Sequence, residues 1–343
     1  MRKSGFKVSD KMPQKRNILL WSVLILGVTL CFMASIYVGS MKISIAETFR
    51  ILLSKSYSDA AVVLWEIRLP RAILGVLVGA SLGLAGAGMQ GLLRNPLAEP
   101  GVMGVTGGAV FGAVLVFYTG ISSIWPIALP MGGMAGALVS VIVLYLLAGY
   151  MPSVQTMILA GVALNTLAFA GTSLALNLSP NPYASLEIVF WQMGSLADRS
   201  FMHVALAAPF ILIGAVMILW DRRALDALSL GEETAVSLGI PLRTVQFRQI
   251  LGTALAVGAA VSVCGSIGFV GLVVPHLLRP FVGQEPGKLL GVSALGGAVL
   301  ILLADIIVRL VPIGAELKLG VLTSLIGAPF FIALIFKMRR GLT

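Results

Sequence analysis

Charge is what this chain has least of. Only 11% of its 343 residues are Asp, Glu, Lys or Arg, against roughly 25% in soluble domains, and that shortage excludes an ordinary water-soluble fold. Cysteine and histidine are as scarce, with two of each. Cys31 and Cys264 lie in apolar stretches with no partner at disulfide or metal-site spacing, so they read as packing residues. His203 and His276 have no carboxylate or thiol cluster around them, which argues against a metal centre. No G-x-x-x-x-G-K-S/T loop occurs, so the chain has no recognisable ATP site of its own. The period-2 alternation of a transmembrane barrel is missing as well.

What is present is hydrophobic sequence, 58% of the chain, in runs near the roughly 20 residues that a helix needs to cross a bilayer. Apolar runs read against turn and charge signals predict ten spans. They cover 18–39, 69–93, 100–118, 124–148, 154–176, 201–220, 243–264, 267–282, 289–309 and 319–337. The expected fold is therefore all-α, a polytopic membrane protein of about ten transmembrane helices. An even number puts both termini on one side. Placing them in the cytoplasm leaves sixteen basic residues inside and eight outside, as the positive-inside rule requires. Topology then accounts for most of the +10 net charge, and no nucleic-acid partner is needed. The first run follows a basic segment and is longer than a secretory signal core, so it reads as a retained span.

Small residues recur along the second span at Gly75, Gly79, Gly83, Ala87 and Gly91, a stripe that lets helices approach closely in lipid. The hexapeptide GAGMQG at 86–91 fits G-x-G-x-x-G, but it lies within this apolar helix rather than after a strand, which excludes a dinucleotide fingerprint. Two connections are unusual. Segment 177–200 combines Pro, Trp and apolar residues, suiting an interfacial helix with Trp191 at headgroup depth. Segment 221–243 is amphipathic, divided at Gly231, and suits docking along a membrane or against another protein.

A few charges break the apolar pattern. Asp305 falls inside the ninth span with Arg309 one helical turn on, so the two can pair; a structural ion pair and a proton relay are the alternatives. Arg68 and Arg71 flank Leu69-Pro70 at the head of the second span, on the outer side. They read either as snorkelling anchors or, with Arg309, as a cationic rim for an acidic partner.

At these residues the chain resembles the FecCD family, the iron-siderophore and cobalamin permeases of bacterial ABC importers. The resemblance rests on RLPRAILGVLVGA at 68–80, RNPLAEPGVMGVTGGA at 94–109, WQMGSL at 191–196 and LGEETAVSLGI at 230–240. It continues through GSIGFVGLVVPHLLR at 265–279, LLADIIVR at 302–309 and GAPFFIALI at 327–335. It implies a basic cytoplasmic segment (1–17), a ten-helix permease domain (18–337) with a cytoplasmic coupling loop (221–243), and a cytoplasmic tail (338–343). The implied setting is the bacterial cytoplasmic membrane. Implied partners are two ABC ATPase subunits, an extracytoplasmic substrate-binding protein and a second permease subunit that completes the translocation path. No cofactor and no catalysis by the chain itself are implied. Arg68, Arg71 and Arg309 match the family's binding-protein docking arginines. Gly231, Glu232, Ala235, Leu238 and Gly239 match its ATPase-coupling region, and Asn95 and Leu97 a loop near the inner gate. The chain departs from the family pattern at Gln284-Glu285-Pro286 and at Glu316-Leu317-Lys318, where Lys318 adds an outer positive charge. A ferric siderophore is the expected substrate, with haem and cobalamin as alternatives and an ion-coupled secondary transporter as the rival class.

Overall fold

The fold is described from a computed structural model. The structure describes residues 14–53, 58–125, 127–149, 153–179, 182–283, 285–311 and 317–340. Most of the basic segment 1–17, residues 341–343 of the tail, Gln284 and Glu316 lie outside them. Among the described residues all regular structure is helical. The helices in chain order are α1 (Gln14–Tyr37), α2 (Ile45–Leu53), α3 (Asp59–Val62), α4 (Leu69–Leu92), α5 (Val105–Tyr118), α6 (Ile121–Ile124), α7 (Ala128–Ala148) and α8 (Val154–Asn177). There follow α9 (Pro182–Gln192), α10 (Phe201–Trp220), α11 (Arg222–Leu228), α12 (Glu232–Ser237), α13 (Leu242–Cys264), α14 (Val270–Leu278), α15 (Pro286–Leu310) and α16 (Leu319–Arg340). Among the described residues, seven helical stretches are long and apolar enough to span a bilayer. Three shorter apolar ones, Val105–Tyr118, Val270–Phe281 and Leu319–Leu334, fall at the remaining expected spans.

Two differences from the expected spans have local causes. The second span does not begin at 69: helix runs unbroken over Asp59–Leu92, 34 residues. Ser58 caps it by accepting from the Ala61 amide at 3.2 Å, and a π-helical segment, Val63–Arg68, carries it into Pro70. In that segment Leu69 N bonds to Leu64 O, five residues back; a wider turn of this kind reorients the side chains that follow it. The expected span 267–282 is a nine-residue α-helix ending in a 3-10 turn, Arg279–Phe281, with Pro275 and Pro280 removing amide donors.

Helix α4 is the centre of the bundle. Most of its residues are buried, like those of α13, whereas α1 is largely exposed and faces outward. The small-residue stripe of α4 lies on α15, running antiparallel to it. A Cβ on Gly79 would overlap the Gly297 carbonyl, and one on Gly83 would overlap the Ser293 carbonyl. Helix backbones touch there, which is the contact geometry that small residues permit. GAGMQG lies wholly within α4, and Gly86 packs on the backbone of Gly271; these glycines serve packing.

Candidate functional site

The chain collects its polar side chains at the two ends of the bundle. At the end where α1 terminates, the arginines flanking Pro70 turn inward. Arg68 is 4% exposed. Its Nη1 donates to the carbonyls of Ile36 and Tyr37, each at 3.0 Å, and its Nη2 to that of Met41. A helix leaves its last four carbonyls without intrahelical partners and carries partial negative charge there, so a guanidinium is well matched to the end of α1. Gly39 makes room for it: a Cβ at that position would come within 2.7 Å of Arg68 Nη2.

Arg309, from the last turn of α15, completes the same cap. Its Nη1 donates to the Ser35 and Val38 carbonyls at 2.8 and 2.9 Å, and its Nη2 to Ser35 Oγ at 2.6 Å. The same Nη2 lies 2.8 Å from Asp305 Oδ2. Arg71 takes the other carboxylate oxygen, with Nε and Nη2 each 2.9 Å from Asp305 Oδ1. Asp305 thus bridges α4 and α15 with a side chain only 2% exposed, while Arg71 and Arg309 retain 11% and 10%. Two guanidiniums meet one carboxylate and Arg68 caps the same end of α1, so the cluster keeps an excess of positive charge just beneath the surface. Lys42 lies exposed after α1, and Lys318, at the start of α16, is half-buried. Ser35 is the member that sequence reasoning missed; a serine inside an apolar span carries no signal of its partner.

At the opposite end, α11 and α12 form a short surface pair. Gly231 precedes α12 at φ +112°, backbone that only glycine adopts without strain. Ala235 is fully buried against the bundle, while Leu238 is exposed and Gly239 turns the chain at φ +80°. Glu232 begins α12 and pairs with Arg94 at 2.7 Å, both side chains more than 40% exposed. Arg94 begins the loop of Asn95 and Leu97, where Asn95 Oδ1 accepts from the Leu97 amide at 2.9 Å and closes a tight turn. The expected coupling residue Glu232 therefore pairs with Arg94, the neighbour of the expected gate residue Asn95. Two carboxylates anchor α11. Asp221 is held by Arg248, whose Nε lies 3.1 Å from each oxygen, and Asp226 accepts from the Gly287 amide at 2.7 Å. Burial pushes the Asp226 carboxyl above its ordinary range, partly offset by that amide.

Cys264 and His203 make structural contacts. Cys264 is buried and donates to the Ala260 carbonyl, and His203 belongs to the capping box of α10. Among the described residues no cluster of metal-ligating side chains forms. Segment 177–200 contains α9 as a helix, with Trp191 packed edge-on to Phe117 at 6.0 Å.

A sequence model of the FecCD transport family matches residues 26–337. The chain belongs to this family. Among FecCD relatives, the hemin transport system permease HmuU of Yersinia pestis is 37% identical, over 92% of this chain and 96% of its own length. The vitamin B12 import system permease BtuC of Vibrio cholerae is 42% identical, over 80% and 82% respectively. A solved ABC transporter, described as of metal-chelate type and inward-facing, superposes with a TM-score of 0.82 at 30% identity, covering 94% of this chain and 99% of that one. This FecCD chain is accordingly a multi-pass membrane permease of the ABC type, and its relatives are transport proteins rather than enzymes.

Proposed function

We propose that this chain is the permease subunit of an ATP-driven importer of bulky metal chelates, a ferric siderophore, haem or cobalamin. The observation that carries the reading is the FecCD match across residues 26–337, with hemin and vitamin B12 permeases among the relatives. In this reading both termini, α11 and α12 are cytoplasmic and the arginine cluster is external. Two permease subunits enclose the path, a substrate-binding protein docks outside, and two ATPase subunits dock inside.

Arg68, Arg71 and Arg309 supply the charge that attracts carboxylates of the binding protein. Arg68 contributes chiefly by holding the end of α1, because its donors are already spent on carbonyls; Arg71 and Arg309 sit nearer the surface. Gly231, Glu232, Ala235, Leu238 and Gly239 form the ATPase-coupling surface, with Ala235 as the buried foot and Leu238 as the exposed apolar contact. Through the Arg94–Glu232 pair, movement of α12 pulls on the loop of Asn95 and Leu97, the proposed inner gate.

Ion-coupled transport through Asp305 is disfavoured by geometry, since guanidiniums already engage both carboxylate oxygens and α4 and α15 bury the side chain. The test is reconstitution of the permease with its ATPase and binding protein in proteoliposomes, with the ligand carried by the binding protein identified by mass spectrometry. Uptake should require ATP and both partners. Uptake driven by a proton or sodium gradient without the ATPase would overturn the proposal.

A further inference from the structure

The connection between α4 and α5 dips into the bundle instead of crossing its end. Pro100 packs beside Gly271 of α14, a Cβ on Gly161 of α8 would overlap the Val102 carbonyl, and the Gly101 carbonyl accepts from Asn165 Nδ2. Asn165 is eleven residues into α8, about 16 Å of helix, or roughly half of a hydrocarbon core about 30 Å thick. Glu99 enters this dip. It precedes the 3-10 turn Pro100–Met103 without capping it, and among the described residues no hydrogen bond or ion pair reaches its carboxylate. Its Oε1 and the Thr106 hydroxyl both lie within 4.0 Å of the point where a Cβ on Gly101 would sit. Glu99, Thr106 and Asn165 are all half-buried.

A carboxylate at this depth is costly against lipid, and such groups face the bundle interior or a water-filled cavity. Backbone that leaves the α-helical ladder at membrane depth is tolerated only under the same condition. Asp305, an acid inside α15, meets the demand with two guanidiniums. Glu99 has none, so water is what keeps its charge solvated. Resting on the importer reading above, we infer that Glu99, with Thr106 and Asn165 beside it, lines the aqueous translocation path and makes that path selective for neutral or cationic chelates over anionic ones. Of the chelates proposed, a cobalamin or a neutral ferric trihydroxamate is favoured over haem with its propionates or a ferric catecholate. Charge of one sign in a low-dielectric cleft enriches counter-ions by about tenfold or more.

The experiment is thiol labelling of Thr106→Cys, with Cys31 and Cys264 replaced by alanine, in the permease assembled with its ATPase and binding protein in proteoliposomes turning over ATP. The probes are a cationic trimethylammonium methanethiosulfonate and an anionic sulfonate methanethiosulfonate, neither of which crosses lipid. Both should react, and the ratio of cationic to anionic rates should be about tenfold higher with Glu99 than with Glu99→Gln. Glu99→Asp should keep the high ratio. In the chain that retains Glu99, added salt should lower the ratio by screening, a readout that needs no substitution at Glu99; a merely structural role would change both rates alike. A thiol that reacts only after denaturation, or a ratio unchanged by Glu99→Gln or by salt, would overturn the inference. So would an anionic chelate carried by the binding protein. Uptake driven by an ion gradient would instead sink the importer reading and leave the labelling ratio as it is.

Discussion

Asp305 is answered on both oxygens, by Arg71 from α4 and by Arg309 from its own helix. Removing the carboxylate leaves two buried guanidiniums facing each other across a low-dielectric contact, and breaking a buried charge arrangement in this way costs about 3–5 kcal/mol. Asp305→Ala should therefore sharply lower the melting temperature of the purified permease, whereas Asp305→Asn, which keeps an acceptor, should lower it less. Equal melting of Asp305→Ala and the parent chain would remove the structural role given to the triad. The sequence showed Asp305 and Arg309 one turn apart on a helix face, and so suggested their pairing. Arg71 lies 234 positions away, and no local spacing rule reaches that far.

The contact of α4 with α15 depends on the absence of side chains. At Gly83 a single methyl already overlaps the Ser293 carbonyl, and overpacking of this kind costs about 1–3 kcal/mol or more. Gly83→Leu should abolish the folded permease in detergent chromatography; a monodisperse, normally melting variant would mean that the helices can separate freely. Around α12 the balance is different. The Arg94–Glu232 pair is exposed, and exposed pairs are worth only about 0–1 kcal/mol. Glu232→Gln should thus leave melting nearly unchanged while reducing substrate-stimulated ATPase activity of the assembled complex, and full stimulation would dissociate Glu232 from coupling. The seat of α11 carries a pH signature. The Asp226 carboxyl is raised by burial, so the folded state holds its proton more firmly than the unfolded chain does. Its contribution then falls as pH rises from the ordinary carboxylate range through the raised value. Asp226→Asn keeps an acceptor for Gly287 and should flatten that part of the stability profile, as thermal melts across the acidic range would reveal.

Across the whole molecule, the buried arginine cluster lies beneath one face while the α11–α12 pair lies at the other. Long-range charge mainly steers association and is screened by salt, with a Debye length of about 8 Å at physiological ionic strength. Arg71→Glu should slow binding-protein association and flatten its salt dependence, and charge reversal on the partner should restore part of the rate. Because this variant also disturbs the Asp305 triad, its melting temperature must be measured alongside. Unchanged association in a folded variant would remove the cluster from docking. The expected spans survive well at this scale, since each of the ten apolar runs overlaps an apolar helix. The addition of residues 59–68 to the second span was not legible, because Asp59, Glu66 and Arg68 interrupt the apolar run and only the π-helical segment shows that helix continues through them.

Hydropathy by itself determined that the chain is a helical membrane protein and where its apolar helices lie, because every backbone amide in hydrocarbon must bond within its own segment. Glycine spacing likewise determined that α4 has a close-packing face. Only the tertiary structure decided what the arginines around Leu69-Pro70 touch. Arg68 caps α1, Arg71 joins Asp305, and Arg309 links both. Their partners come from the end of α1 and from α15, distant in sequence, and a buried guanidinium is stable only where such acceptors converge. That convergence is a property of packing, and no run of neighbouring residues encodes it.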